Sequence, residues 1–292
     1  MRTPVRIFFG WIARMPLRPE LTQAAVPLIE EVEVMDEQGR VRPAYLPGER
    51  PLTVYLDKRE LVTLMTLGGA PEALVLGYLR NQRQVESIED IAAVQVDWET
   101  ESVAVTTRAG RQLPDIEDRT AKRIVTTGCG QGTMFGSLMD ELDAVRLPDG
   151  ATLHQETLYR IVDTIRLQQS VYKQAGSVHG CALFRGAELL MFVEDVGRHN
   201  AVDAIAGKMW LEGMDGGDKV FYTTGRLTSE MVIKGAQMGI PFLLSRSGVT
   251  QMGYEMARRV NLTLFARCTG KHFLLYAGRE RFIYAPVAQS VA

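Results

Sequence analysis

Residues 219–245 read KVFYTTGRLTSEMVIKGAQMGIPFLLS and carry the pattern that decides the fold. Residues 219–224 are rich in β-branched and aromatic side chains, which favours a strand, and 241–245 form a second short apolar run. Between them, a glycine turn leads into 229–238, which we interpret as a helix. A strand, a helix and a strand in this order are typical of helices packed on a mixed or mostly parallel sheet. The stretch therefore predicts an α/β fold.

The same alternation of strands and helices extends over the second half of the chain, from Ala121 onward. In 153–172, apolar residues return at positions 158, 161, 162, 165 and 172, which is the spacing of an amphipathic helix. The other predicted helices are 199–211 and 250–260, and the other predicted strands are 180–184, 189–193, 262–266 and 273–276. This half is predicted to form a mixed sheet with helices on its faces.

The first half of the chain consists mainly of alternating segments that predict β-hairpins. The predicted strands are 26–34, 41–46, 52–56, 61–67, 92–98 and 102–107, and one helix is predicted to begin at Pro71. A chain of 292 residues is long enough for two domains. We expect an N-terminal tail over 1–20, a smaller β-rich domain over 21–118 and a larger α/β domain over 119–292.

The composition favours a soluble globular protein and gives no sign of a nucleic-acid-binding or membrane protein. Hydrophobic residues make up 46% and charged residues 23%, which is ordinary for a soluble globular protein and argues against disorder. A net charge of -2 gives no reason to expect nucleic acid or an anionic membrane as a partner. No run approaches the roughly 18 apolar residues of a membrane span. The three cysteines have no metal-type spacing, so we expect no metal site and a reducing, cytoplasmic setting.

One cysteine stands in an unusual context. Residues 124–136 read IVTTGCGQGTMFG, so Cys129 follows a β-branched run and is surrounded by glycines. Glycine reaches backbone conformations closed to other residues, and loops at strand ends often carry function. We therefore interpret Cys129 as a candidate nucleophile on a flexible loop. The alternative is a tight turn in which a small residue happens to be cysteine.

Three further loops pair glycine with a cation or a helix start, namely 194–200, 223–230 and 267–272. Such turns present free backbone N–H groups that bind anions such as phosphates, and Arg226 is placed to contact an anionic ligand. The alternative is that each loop is simply a capped turn, with Thr228 or Ser229 as the cap in the second of them.

The histidines and aspartates of these loops allow two interpretations. His179 and His199 could each tune the thiolate or bind a ligand, but a satisfied structural histidine is the commoner case. We assign a catalytic role to neither. Asp195 and Asp203 flank a helix start and would either cap it or pair with Arg198.

The other two cysteines differ in their surroundings. Cys181 lies in an apolar run and is predicted to belong to the core. Cys268 precedes Thr269-Gly270-Lys271, so its surroundings are predicted to be exposed and cationic.

With these motifs in place, the chain resembles the formate dehydrogenase accessory sulfurtransferases, the FdhD family. The resemblance rests on GSVHGCALF at 176–184, EDVGRHNAVD at 194–203, the Ser229-Glu230 pair and GIPFLLSRS at 239–247. It covers most of the chain from about Pro51 and is strongest from Ala121 to the end. Residues 1–50 resemble no family that we can assign.

The resemblance implies a sulfur carrier for molybdenum enzyme maturation. Such a protein accepts sulfur from a cysteine desulfurase as a persulfide and transfers it to a molybdenum bis(molybdopterin guanine dinucleotide) cofactor, which formate dehydrogenase then receives. The family's persulfide cysteine corresponds to Cys129. Its cofactor-binding segment corresponds to Cys268, Thr269, Gly270, Lys271, His272 and Phe273. The resemblance also implies a cytidine-deaminase-like larger domain and a homodimer.

The sequence departs from the family at one point. The family usually carries Cys-x-x-Cys, and here Gly132 replaces the second cysteine. A disulfide within the loop therefore cannot release the sulfur, so the acceptor attacks directly or with help from Cys268. The missing cysteine favours an alternative function, a chaperone that binds and delivers the cofactor without sulfur transfer. A zinc deaminase is disfavoured because its His-x-Glu and Pro-Cys-x-x-Cys motifs are absent.

Overall fold

The structure is a computed structural model that describes residues 17–108 and 145–286. In the first range, the strands are β1 (Glu20–Leu21), β2 (Ile29–Met35), β3 (Val41–Pro47), β4 (Arg50–Leu56), β5 (Arg59–Thr66), β6 (Ile91–Asp97) and β7 (Ser102–Thr107), and helix α1 spans Pro71–Asn81. Five strands form a sheet in the order β1-β6-β7-β4-β5, and β2 and β3 pair as a separate antiparallel hairpin. The predicted strands and the helix at Pro71 are confirmed.

The second range contains the α/β part of the molecule. Its elements are β8 (Leu153–His154), α2 (Gln155–Leu167), α3 (Val171–Ala175), β9 (His179–Arg185), β10 (Glu188–Asp195), α4 (Arg198–Glu212), β11 (Lys219–Thr223), α5 (Ser229–Gln237), β12 (Phe242–Ser245), α6 (Gln251–Arg259), β13 (Thr263–Thr269), β14 (His272–Ala277) and β15 (Phe282–Ile283). Six strands form a sheet in the order β10-β9-β11-β12-β13-β14, in which β11, β12 and β13 are parallel and the other pairs antiparallel. The predicted mixed sheet is confirmed.

Hydrophobic clusters lie on both faces of this sheet because side chains alternate along each strand. On β11, Phe221 belongs to the larger cluster, which includes α4 and α5, whereas Val220 and Tyr222 belong to a smaller cluster beneath α2. The carboxyl ends of β11, β12 and β13 lie at one edge of the sheet, together with the end of β10 and the start of β9. That edge carries the candidate site.

Helix α1 connects the two halves of the molecule by packing along α4. A Cβ atom added at Gly77 of α1 would lie 1.7 Å from the Asp203 carbonyl oxygen, and one added at Gly207 of α4 would lie 1.9 Å from the Ala73 carbonyl oxygen. The helices therefore touch backbone to backbone, and the larger cluster draws residues from both halves. The predicted domain division after residue 118 lies outside the described residues and stays a prediction.

The apolar spacing predicts one helix over 153–172, but the structure has a short strand and two helices there. The first two residues form β8, which pairs in parallel with β15, and a break separates α2 from α3. The Ser170 hydroxyl accepts a hydrogen bond from the Lys173 N–H and so caps a new helix. Tyr172 therefore belongs to α3 and not to the apolar stripe of α2.

Several sequence predictions concern residues that the structure does not describe. Cys129, Gly132 and the loop around them fall between the two described ranges, and most of the predicted tail precedes residue 17. Within 17–108 and 145–286, no helix is both long and apolar enough to cross a membrane. The same residues contain no cluster of three or more His, Cys, Asp or Glu side chains that could bind a metal ion.

Candidate functional site

A cavity of about 250 Å³ opens at the carboxyl edge of the sheet, between α2, α3 and strands β9, β10, β11 and β13. Its lining includes the rings of Tyr172, Phe192 and Tyr222 and the exposed cations of Arg166, Lys173 and Arg246. Aromatic faces beside cations suit a ligand that combines a flat ring with a negative charge. A larger cavity of about 510 Å³ lies at the opposite edge and contacts none of the predicted site residues within the described ranges.

Tyr172 and Arg246 form a defined part of the cavity rim. The Arg246 guanidinium carbon lies 5.1 Å from the Tyr172 ring centroid, and its Nη2 donates to the Tyr172 hydroxyl at 3.3 Å. The N–H groups of Tyr172 and Val171 donate to the Glu194 carboxylate at 3.1 and 2.6 Å. Burial raises the pKa of Glu194 against the opposing effect of these two donors. Glu194 thus positions the ring and, through it, the arginine.

Cys268 lies in the cavity wall, but its side chain is fully buried, so the predicted exposure is wrong for the thiol itself. The reason is a bulge in β13, where Arg267 has a φ of 57° and the register with β14 shifts. Burial raises the pKa of Cys268 to about 12. The thiol is therefore protonated and unreactive at neutral pH.

The rest of the predicted cofactor segment follows the turn from β13 to β14. Thr269 and Gly270 border the cavity, whereas Lys271 and His272 are exposed. Gly270 has a φ of 56°, a left-handed conformation that favours glycine and makes the tight turn possible. The segment therefore contributes exposed backbone and a cation beside the cavity.

Phe273 has a different environment from the other residues of the segment. Its ring lies 5.7 Å from that of Phe265 and 5.2 Å from that of Phe282, centroid to centroid, in edge-on contacts. Such pairs stabilise a core by dispersion and quadrupole attraction. Phe273 therefore anchors the segment to the smaller hydrophobic cluster.

A buried chain of polar side chains lies on the opposite face of the sheet. Lys234 Nζ lies 2.8 Å from Asp203 Oδ2 and 3.6 Å from Glu230 Oε1. Asp203 also accepts a hydrogen bond from Asn81 Nδ2 at 2.6 Å, which joins α1 to this chain. Burial works to lower the pKa of Lys234, but the two carboxylates outweigh it and the pKa is raised. We therefore take Lys234 and Asp203 as a charged pair, although burial raises the pKa of Asp203.

The sequence left two roles open for Asp195 and Asp203, namely capping the start of α4 or pairing with Arg198. In the structure, neither aspartate pairs with Arg198. Asp203 pairs with Lys234, and Asp195 accepts a hydrogen bond from the N–H of Gly197, the residue that precedes α4, without capping the helix itself. The Asp195 carboxylate accepts hydrogen bonds from the Thr66 hydroxyl, the Leu67 N–H, the Gly197 N–H and Asn200 Nδ2. Burial raises its pKa despite these donors. Asp195 thereby holds the end of β5 against the first turn of α4.

His179 begins β9 and His199 lies in the first turn of α4, so both histidines lie near the carboxyl edge of the sheet. Burial, with nearby cations, lowers the pKa of His199 to about 2. Burial also lowers the pKa of His179, and Arg198, Arg226 and Arg246 lower it further. Both histidines are therefore mainly neutral at pH 7, and three arginines contribute positive potential at His179.

Sequence reasoning missed Tyr172, Lys173 and Arg246 as cavity residues. Arg246 directly follows the predicted strand 241–245, so its place at a strand's carboxyl end was a readable signal. Tyr172 gave no such signal, because the spacing assigned it to the preceding helix, and Lys173 follows that predicted helix in no predicted element.

The profile of the FdhD/NarQ family matches residues 47–283, which include the cavity, the buried polar chain and the motif at 194–203. The chain belongs to this family. It is 30% identical over 235 residues to the sulfur carrier protein FdhD of Listeria monocytogenes (serotype 4b, strain F2365), covering 80% of this chain and 89% of that protein. It is also 30% identical over 247 residues to the sulfur carrier protein FdhD of Bacillus subtilis (strain 168), covering 84% of this chain and 94% of that protein.

A solved structure from the same family supports the fold. The crystal structure of a protein called a formate dehydrogenase accessory protein, from Desulfotalea psychrophila, matches with a TM-score of 0.69 at 26% identity. The match covers 88% of this chain and 100% of that one. The family and the α/β fold predicted from the sequence are therefore confirmed.

Proposed function

We propose that this protein carries sulfur for the maturation of formate dehydrogenase. The observation that supports this most strongly is membership of the FdhD/NarQ family over residues 47–283, because relatives that cover most of the chain are named sulfur carrier proteins. The aromatic and cationic cavity adds a place for an acceptor that combines a ring with a negative charge. The partners in this proposal are a cysteine desulfurase, formate dehydrogenase and a second copy of the chain, in the cytoplasm.

In the proposed reaction, Cys129 is the sulfur-carrying residue. Its thiolate attacks the outer sulfur of a donor persulfide, the S–S bond of the donor breaks, and the donor leaves as a thiolate. Cys129 then holds a persulfide. An electron pair of the acceptor attacks its outer sulfur, the S–S bond breaks, Cys129 leaves as the thiolate, and the acceptor, which supplies the pair, is oxidised by two electrons. The proposed acceptor is the molybdenum bis(molybdopterin guanine dinucleotide) cofactor, bound as a substrate beside the segment 268–273.

A second cysteine is not part of this proposal. Gly132 replaces the second cysteine of the family motif. The Cys268 thiol is buried, and its pKa of about 12 leaves almost no thiolate at neutral pH. We therefore propose direct attack by the acceptor on the Cys129 persulfide, with Cys268 serving as part of the cavity wall.

The alternative is a chaperone that binds the cofactor and delivers it without carrying sulfur, which the glycine at position 132 favours. The two functions differ in their need for a thiol at position 129. Formate dehydrogenase activity in cells that lack this protein, and then receive the wild type or a variant, separates them. A sulfur carrier with Cys129→Ala restores no activity, whereas Cys268→Ala restores most of it. Full activity with Cys129→Ala would refute the carrier and support the chaperone.

A further inference from the structure

The N-termini of α4 and α5 meet on the face of the sheet opposite the cavity. Gly225, in the loop before α5, lies against the side chain of Arg198 in the first turn of α4, and a Cβ atom there would lie 2.9 Å from Arg198 Cδ. The next residue of α4, His199, places Nε2 3.3 Å from Glu230 Oε2 of α5. Among the described residues, no side chain caps either helix, and none forms a hydrogen bond with the buried hydroxyl of the N-cap residue Thr228. Two helix N-termini, with their positive dipole ends, thus lie close together.

Arg198 supplies a second and independent observation at this place. The residue is only 5% exposed, and within the described ranges no carboxylate or carbonyl group accepts a hydrogen bond from its guanidinium. Its Nε atom is buried without any partner. A buried cation without a counter-charge is strongly unfavourable, so proteins rarely keep one unless it meets an anion.

The carboxylates of Asp195, Asp203 and Glu230 contact groups other than Arg198. Asp195 accepts hydrogen bonds from four neutral donors, and Asp203 pairs with Lys234. Glu230 lies 3.6 Å from Lys234 Nζ and beside the neutral His199. Arg198 therefore has no partner among these acids.

The charges that face His179 add to the positive potential. Arg226 and Arg246 lie near this histidine together with Arg198, and all three depress its pKa. Of the three, Arg246 faces the cavity on the other side of the sheet and Arg226 is exposed. The buried member is Arg198, which has no counter-charge among the described residues.

We propose that Arg198, with the N-termini of α4 and α5, binds an oxyanion of the phosphate class. A guanidinium group and converging backbone N–H groups are the donors that proteins use for tetrahedral oxyanions. The oxyanion is either a free inorganic ion or a phosphate group of a nucleotide. This site is distinct from the cavity and does not depend on sulfur transfer at Cys129.

The test combines binding and stability measurements on the full chain in a phosphate-free buffer. Arg198→Met keeps the aliphatic contact with Gly225 and removes the charge, and Arg185→Met, at an exposed arginine 3.2 Å from Asp218, is the matched control. Calorimetric titration with inorganic phosphate and with guanosine diphosphate supplies the two arms. We expect Arg198→Met to weaken binding of at least one probe by about tenfold or more, and the control to bind as the wild type does.

The two arms identify the source of the oxyanion. Phosphate binding that depends on Arg198, with guanosine diphosphate unaffected, indicates a free ion, and the reverse indicates a nucleotide phosphate. Binding of both probes that is unchanged in Arg198→Met, or absent in the wild type, overturns the proposal.

The melting temperature is a second readout, and the effect of Arg198→Met on it is expected to differ without and with the anion. If the guanidinium lacks a counter-charge, the melting temperature of Arg198→Met without anion equals or exceeds that of the wild type. When the bound probe is added, only the wild type gains stability. A lower melting temperature of the variant without anion would mean that Arg198 already has a structural partner, and would overturn the proposal. Sulfur loading of Cys129 is a separate measurement, so failure here leaves the proposed function standing.

Discussion

Stability of the protein should fall as the pH drops from 7 to 5, and His199 should account for a large part of that loss. Burial lowers the pKa of His199 from an ordinary value of 6.5 to about 2. In the unfolded chain the imidazole therefore takes up a proton below pH 6.5, while in the folded protein it stays neutral down to about pH 2. Protons thus bind the unfolded state preferentially, and stability is lost as the pH falls through this window.

The magnitude follows from the two pKa values. Between pH 7 and pH 5, the unfolded state gains about 2 kcal/mol from protonation of one histidine with an ordinary pKa, and the folded state gains almost nothing. The perturbation is His199→Gln, which keeps a polar side chain and removes the titration. At pH 7 the variant should be less stable than the wild type, because Gln fits the buried site less well, and the difference should shrink by about 2 kcal/mol at pH 5.

The assay is urea unfolding of wild type and variant at pH 7 and pH 5, followed by circular dichroism. The control is His154→Gln, at an exposed histidine, which should retain the pH-dependent loss seen in the wild type. A stability difference between wild type and His199→Gln that is the same at both pH values would refute the assignment of His199 as a buried neutral histidine.

Three further predictions concern packing, the cavity and the buried thiol. In urea unfolding, Gly77→Ala should destabilise the protein by about 3 kcal/mol or prevent folding, because its Cβ would overlap the α4 backbone. The control Gly150→Ala has open space around it, so its unfolding free energy should stay within about 0.5 kcal/mol of the wild type. Arg246→Gln, made in the Arg198→Met background so that only the cavity is measured, should weaken guanosine diphosphate binding about tenfold in calorimetry, and an unchanged affinity would remove Arg246 from the cavity site. Cys268 should resist alkylation by iodoacetamide at pH 8 until the protein is unfolded, and rapid alkylation of the native protein, seen by peptide mass spectrometry, would contradict its burial.

Much of the fold could be predicted because its strands and helices are written in local patterns. Strand β4 alternates between buried and half-buried residues, and the last four residues of β5 alternate between exposed and buried ones. Helix α1 starts at Pro71, where a missing N–H costs nothing. The break between α2 and α3 was not predictable from spacing, since the apolar residues on both sides of Ser170 fit one helical stripe. The break is set by a local hydrogen bond from the Lys173 N–H to the Ser170 hydroxyl, which starts a new helix.

The environment of Cys268 could not be predicted for a different reason. Regular alternation from Phe265 would place Cys268 on the opposite face of β13. The bulge at Arg267 returns it to the same face, into the smaller hydrophobic cluster. A single residue with a left-handed φ therefore converts a predicted exposed thiol into a buried one, and no local pattern in 267–272 announces it.

The buried polar chain shows a third limit of sequence reasoning. The motif at 194–203 lies at the carboxyl edge of the sheet, where β10 ends and α4 begins. The partner of Asp203, however, is Lys234, which is distant in sequence and lies within α5. A lysine on an amphipathic helix ordinarily faces solvent, so its burial is visible only once the helices pack.

The most direct test of the sulfur carrier is the intact mass of the protein after incubation with a cysteine desulfurase and cysteine. The wild type and Cys268→Ala should each gain one sulfur that a reductant removes, and Cys129→Ala should gain none. No gain in the wild type, or a gain that persists in Cys129→Ala, would contradict the proposed role of Cys129.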